Sequence, residues 1–195
     1  MKLANSLYVI VPILLLAGCG GKTQPDPSVA DCTYPDAPEQ IAPGWICDEP
    51  VAGVELSAVG YAQKSAAGVS FMKQMAVADA RVQLAQTFKV HVNNMIKQYA
   101  ETTGAADSET VDQVNTSVSK LITSETLIGS RLFKSKVGPT GSMYVIVGLD
   151  SDNVQKAAED SIKSSMKNDA ALWQQFKADQ AQDELAAEIV NMKSN

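Results

Sequence analysis

The chain has 195 residues, 45% of them hydrophobic and 19% charged, with a formal net charge of −6 at pH 7. That balance suits a folded domain and excludes a wholly disordered chain. An acidic chain with one histidine and no lysine/arginine cluster is a poor nucleic-acid binder, and it lacks the polybasic patch that holds proteins to anionic lipid.

Residues 1–18 have the layout of a secretory signal peptide: Lys2 near the start, an apolar run from Leu7 to Leu16, then the small residues Ala17 and Gly18. The apolar run is about half the roughly 20 residues that a spanning helix needs, and Pro12 lies inside it. Leu16-Ala17-Gly18-Cys19 closely resembles a bacterial lipobox, with cleavage between Gly18 and Cys19. Small side chains let a peptidase reach that bond, and the Cys19 sulfur is the nucleophile that takes up diacylglycerol. The rival reading is an ordinary signal peptide that happens to end near a cysteine. Diacylglycerol on the sulfur and a palmitate-type chain on the new N-terminus give stable anchoring, since two or more chains hold where one does not. Gly20 follows the cysteine where an aspartate would signal inner-membrane retention, so the expected address is the outer membrane. Which face of that membrane carries the domain stays open.

With Cys19 taken by lipid, Cys32 and Cys47 remain. An even pair in an oxidising compartment most simply forms one disulfide. Closing a loop of about 15 residues is worth roughly 3 kcal/mol in the chain-entropy model. No Cys-x-x-Cys occurs, so the bond reads as a staple and not as redox chemistry. A zinc site would want about four ligands at short spacing, and His91 is distant and alone. Gly20 to Trp45 is rich in Pro, Gly, Asp and Ser, and reads as an extended tether of about 26 residues between lipid and domain. Trp45-Ile46 beside Cys47 is the expected point where the tether fastens to the fold.

Val54 to Ala62 is a short β-type run in which Gly60 predicts a bulge or a close backbone approach. From Ser65 or the alanines after it, a long helix is expected. Val77, Leu84, Ala85, Phe88, Val92, Met95, Ile96 and Tyr99 share one face, and Gly104 is the stop. Phe71, Met72 and Met75 extend its apolar surface, with core packing as the expected role. Asp107 or Ser108 caps a second helix carrying Val111, Val114, Val118, Leu121 and Ile122. The pattern changes around Thr123 to Leu127. Two β-type runs, Leu127–Val137 and Ser142–Leu149, then flank the turn Gly138-Pro139-Thr140-Gly141. The second is apolar on both faces and should be central in its sheet, whereas Lys134 and Lys136 mark a solvated face on the first. Ser151-Asp152-Asn153 offers caps for a C-terminal arm with Val154, Ala158, Ile162, Met166, Trp173, Phe176, Leu185, Ile189 and Met192. Asn168-Asp169 could break it in two. This partly apolar arm is the expected partner-binding or self-association surface.

The usual catalytic signatures are missing from this pattern. His91 lies mid-helix, there is no Gly-x-Ser-x-Gly elbow, and Glu55, Asp79 and Arg81 read as isolated charges. Gly20-Gly21-Lys22-Thr23 echoes the end of a phosphate-binding loop but has no strand before it or helix after it.

Val59-Gly60-Tyr61-Ala62, then Ala76-Val77-Ala78-Asp79-Ala80-Arg81, then Leu127-Ile128-Gly129-Ser130 and the closing Tyr144-Val145-Ile146-Val147-Gly148-Leu149-Asp150 resemble the LPP-twenty lipoprotein family over about residues 54 to 160. The resemblance implies a surface or outer-membrane lipoprotein without known catalytic residues, with relatives in flagellar outer-membrane rings and disks. The last strand departs from the family pattern at Val145-Ile146-Val147. Arg81 anchors the sheet end or faces solvent.

The expected organisation is thus a lipoprotein signal peptide (1–18), a lipidated cysteine with a disulfide-bearing tether (19–50), an α+β domain (51–150) and a helical extension (151–195). The fold class is α+β, a small antiparallel sheet of about three strands packed with helices. The expected function is a non-catalytic outer-membrane lipoprotein that binds proteins or copies of itself. No cofactor is expected beyond the lipid on Cys19, and no metal and no nucleic acid. Two narrower readings are an accessory part of a flagellar outer-membrane ring or disk, and a tethered regulator of cell-wall synthesis.

Overall fold

The structure, a computed structural model, describes residues 32–123 and 127–177. The expected lipidation site Cys19 with its cleavage bond after Gly18, the Gly20–Thr23 echo, and Leu185, Ile189 and Met192 lie outside the described residues. In chain order the elements are β1 (Thr33–Tyr34), β2 (Ala37–Ile41), a 3-10 turn (Gly44–Cys47), β3 (Leu56–Ala62), α1 (Val69–Thr103), α2 (Ser108–Leu121), β4 (Arg131–Val137), β5 (Met143–Leu149), α3 (Ser151–Asn168) and α4 (Ala170–Lys177). The class is α+β, with a two-stranded ribbon, β1–β2, and a three-stranded antiparallel sheet in the order β3-β5-β4.

β5 is the central strand, and every one of its residues is buried. Its alternation therefore divides two apolar sets between two covered faces. Met143, Val145, Val147 and Leu149 join the helix-side core, while Tyr144 and Ile146 belong to a smaller core on the opposite side. β4 and β5 are joined through the expected turn, where the Gly138 N–H donates to the Ser142 carbonyl at 2.8 Å and Gly141 takes φ +87°. β4, at the edge of the sheet, carries a bulge between Leu132 and Lys134, and Lys134 and Lys136 are exposed as their pattern predicts, together with Ser135 and Val137.

α1 lies along β3. Met72, Ala76, Ala80, Leu84, Phe88, Val92, Ile96 and Tyr99 form its buried face, and it ends at Gly104, whose left-handed backbone lets its N–H donate to the Ala100 carbonyl. The expected start at Ser65 or the alanines after it is corrected to Val69, because Ser65 to Gly68 closes as a turn with Gly68 at φ +92°. Gly60 makes the close approach its position suggests, and β3 keeps an unbroken register with β5, so it is not a bulge. A Cβ there would lie 2.0 Å from the Ala76 carbonyl oxygen and 2.6 Å from the Ala80 nitrogen. Glycine on the strand and alanines on the helix bring two backbones nearly into contact.

Asp107 caps α2 by accepting from the N–H groups of Glu109 and Thr110. α3 is capped by Asp150, one position before the expected Ser151-Asp152-Asn153, because Asp150 accepts from the Asn153 N–H. Asp169 leaves the helical region and separates α3 from α4, so the arm is two helices as far as Lys177.

Two expectations need correcting. Residues 32–50 are not tether. Tyr34, Ala42, Trp45 and Ile46 are buried and form the smaller core with Tyr144 and Ile146. Averaged over residues 20–45 the composition is that of a linker, but these few large side chains are enough to cover one face of a small sheet. The described part of the C-terminal arm is likewise not free surface on its apolar side. Val154, Ala158, Ile162, Leu172, Trp173 and Phe176 complete the helix-side core, and the Trp173 indole N–H donates to Ser165 at 3.1 Å.

Candidate functional site

The segment from Cys32 to Cys47 forms a flap across the sheet face that the helices leave open. The two cysteines are bonded, with their Cα atoms 5.8 Å apart. The Ala42 N–H donates to the Cys32 carbonyl at 2.7 Å, which closes the base of the β1–β2 ribbon. At the ribbon's tip, Asp36 reaches the sheet. The Tyr144 hydroxyl donates to its Oδ1 at 2.6 Å, and the Thr140 hydroxyl donates to its Oδ2. Thr140 and Ser142 hydroxyls pair at 2.8 Å, and Ser142 in turn meets the Tyr61 hydroxyl at 3.2 Å. Five side chains from the flap, the β4–β5 turn, β5 and β3 thus form one chain of hydrogen bonds.

This clasp has a definite electrostatic character. Burial pushes the Asp36 carboxyl up, but hydrogen bonds from Thr140, Tyr144 and Ser142 outweigh it, so its pKa falls below the ordinary 3.8 and the group stays ionised at neutral pH. Tyr144 moves well above its ordinary value, through burial first and then its bond to the Asp36 carboxylate. The phenol therefore remains a donor throughout the physiological range. Among the described residues no ion pair reaches Asp36, including from Lys64, whose stem lies over the neighbouring Gly141.

Beside the clasp the flap stops short of β3. The gap is a cleft of about 330 Å³ lined by Pro35, Asp36, Ile46, Val59, Tyr61 and Tyr144. Tyr144 forms its inner wall, with the Tyr34 ring 5.5 Å away and the Tyr61 ring 5.2 Å away, both tilted. Tyr61 also lines a second cavity, a groove of about 500 Å³ between the end of β3 and the first turns of α1. Phe71, Met75, Ala78 and Val82 lie along it at helical spacing, one stripe away from the buried face. Phe71, Met75 and Val82 are 45%, 49% and 49% exposed, so core packing, the role expected of Phe71 and Met75, holds only for Met72.

Asp79 is not an isolated charge. Its Oδ2 accepts the outward N–H of Tyr61 at 2.9 Å and the Gln83 amide at 3.0 Å. It holds the open edge of β3 where Gly60 and the alanines bring the helix close. Arg81 points to solvent, Glu55 is exposed, and His91 is a partly buried residue within α1. Neither Asp36 nor the Tyr61 junction stood out in the sequence. Asp36 lies in a Pro-rich stretch, and Tyr34, Tyr61, Thr140, Ser142 and Tyr144 are spread over more than a hundred positions with no local spacing to link them. Among the described residues no helix is long and apolar enough to cross a membrane.

A family model described as LPP20 lipoprotein matches residues 43–150, more than half of the chain. The match takes in the whole three-stranded sheet with α1 and α2, and leaves the β1–β2 ribbon with Asp36 outside it. No curated protein matches the chain.

Proposed function

The chain belongs to the LPP20 lipoprotein family, and on that premise we propose that it is an outer-membrane lipoprotein, anchored through lipid on Cys19, whose domain works by docking other proteins without catalysis. The lipobox and the glycine after it support the anchor and the address. Once Cys32 onward is folded, only residues 20–31 are left as connector, and at about 3.1 Å per residue their full extension is on the order of 40 Å. That is half the reach of the 26-residue tether, which weakens the reading as a regulator reaching out to the cell wall. The flagellar ring or disk reading has the family resemblance as its support.

The observation that carries the docking reading is the stripe Phe71, Met75 and Val82, three large apolar side chains about half exposed on a helix that buries its other apolar face. The test is in two parts. Cys19→Ala should leave the protein at precursor mass and keep it out of the outer-membrane fraction; a variant that reaches the outer membrane at mature mass overturns the anchor. A photo-crosslinker at Met75 in intact cells should give discrete protein adducts, with none from the same group at Lys163 on α3. Equal adduct patterns at both positions overturn the docking reading.

A further inference from the structure

We propose that the cleft beside Tyr61 takes a lysine or arginine side chain of the docked protein, so that the partner segment carries a basic residue next to a large apolar one. This inference rests on the docking reading and narrows it to a chemical class of partner.

Three observations converge on it. Asp36 places an ionised carboxylate at the rim of the cleft, with no cation among the described residues paired to it. The hydroxyls of Tyr144 and Thr140 fix that carboxylate in place, so it is held ready for a third, charged donor. The other walls are Pro35, Ile46, Val59 and the Tyr61 ring, which suit the aliphatic stem of a long basic side chain. Tyr61 lines the cleft and is 38% exposed, and a cation held against an aromatic ring is further stabilised. A cleft of about 330 Å³ has room for one such side chain.

The occupant is a polypeptide rather than a free amine because the cleft does not stand alone. Tyr61 is a wall of both the cleft and the Phe71–Met75–Val82 groove. A segment crossing Tyr61 meets an anionic aromatic cavity on one side and a mainly apolar one on the other, where Gln63 and Asp79 also line the groove and the Asp79 carboxylate is already engaged by the Tyr61 N–H and the Gln83 amide. Adjacent basic and apolar side chains satisfy both at once. The net charge of −6 favours approach of such a segment.

The test uses the full-length lipidated protein in detergent micelles, titrated with a blocked leucyl-lysyl-leucine peptide and with the same peptide carrying norleucine for lysine. The lysine peptide should bind roughly tenfold more tightly at low salt, and that advantage should shrink at high salt. Asp36→Asn should erase the preference, with thermal unfolding and Trp45 fluorescence showing that the flap stays folded. Tyr61→Ala, at the open edge, should weaken both peptides. If Asp36→Asn disturbs the flap, the salt dependence and Tyr61→Ala still decide. Equal affinity of the two peptides for the unaltered protein overturns the inference, as does a lysine preference that survives in folded Asp36→Asn. Phosphoethanolamine competing as strongly as the lysine peptide also overturns it, because a free headgroup then suffices. Met75 crosslinks in cells combined with no lysine preference would leave the docking reading standing and this inference overturned.

Discussion

The two faces of the same three strands are covered in opposite ways. On one, Val145, Val147 and Leu149 meet α1 and α3 in a continuous core that includes Phe88, Ile96, Ile162, Trp173 and Phe176. On the other, Tyr144 and Ile146 are covered by a 16-residue flap holding only Tyr34, Ala42, Trp45 and Ile46 in its core. A flap that buries so little apolar surface is held instead by a disulfide and by hydrogen bonds to Asp36. The helix face draws its stability from area and close approach. The flap face draws it from a few specific links, which leaves room at its border for a cleft that a close-packed face would not tolerate.

The largest expected effect tests the close approach on the helix face. Gly60→Ala adds one carbon where the nearest atoms are α1 backbone, which cannot swing aside. Strand propensity alone would make the change favourable; we expect about 3 kcal/mol of destabilisation in urea denaturation, at the upper end for overpacking. A stabilised or neutral variant would mean that α1 does not press on β3 as described.

Cutting the staple should act on the other face. Cys32→Ser with Cys47→Ser removes a 15-residue closure worth up to roughly 3 kcal/mol. Because the flap is a local unit, hydrogen exchange should lose protection in residues 33–47 while the α1 amides keep theirs. Uniform loss over both faces would show that the flap and the helical core unfold as one.

Acid should weaken the clasp. Asp36 has a folded pKa below its ordinary 3.8, so its contribution is present in full above that value and is lost as the pH falls through the folded one. The helix caps Asp107 and Asp150 are shifted in the same direction, so acid loosens both faces. Asp36→Asn isolates the flap: it should reduce stability by about 1 kcal/mol at neutral pH and flatten the acid dependence of Trp45 fluorescence below pH 3.8. An unchanged acid response would assign the titration elsewhere.

The smallest expected effect is a gain. Asn115 is buried in α2, and its amide nitrogen and oxygen have no hydrogen-bond partner among the described residues. Asn115→Val has nearly the same helix propensity and removes the unpaired group, so it should raise stability by about 1 kcal/mol in thermal or urea unfolding. A loss would show that the amide is satisfied by solvent.

Much of the helix face was readable in the sequence. The spacing of Leu84, Phe88, Val92, Ile96 and Tyr99 and the stop at Gly104 are local signals, and so is the hairpin turn at Gly138 to Gly141. The double-faced apolar pattern of β5 placed it at the centre of the sheet. Cys32 and Cys47 were paired by counting. The flap has the composition of a tether because two aromatic side chains, Tyr34 and Trp45, are diluted there by prolines and acids, and nothing local says that an uncovered sheet face awaits them. Phe71 and Met75 carry the same hydrophobic signal as Met72, and sequence cannot tell a buried stripe from its exposed neighbour when both lie at helical spacing.

By itself the sequence determined the elements from β3 onward, the central strand, the even cysteine pair, the lipobox reading and the family resemblance, because each depends on residues near one another in the chain or on a count. Only the tertiary structure decided that Asp36 meets Thr140 and Tyr144 across more than a hundred residues, that Asp79 holds the edge of β3, and that Tyr61 stands between a cleft and a groove. Those contacts arise when distant segments compete to cover the same small sheet, and the outcome depends on how completely each one covers it.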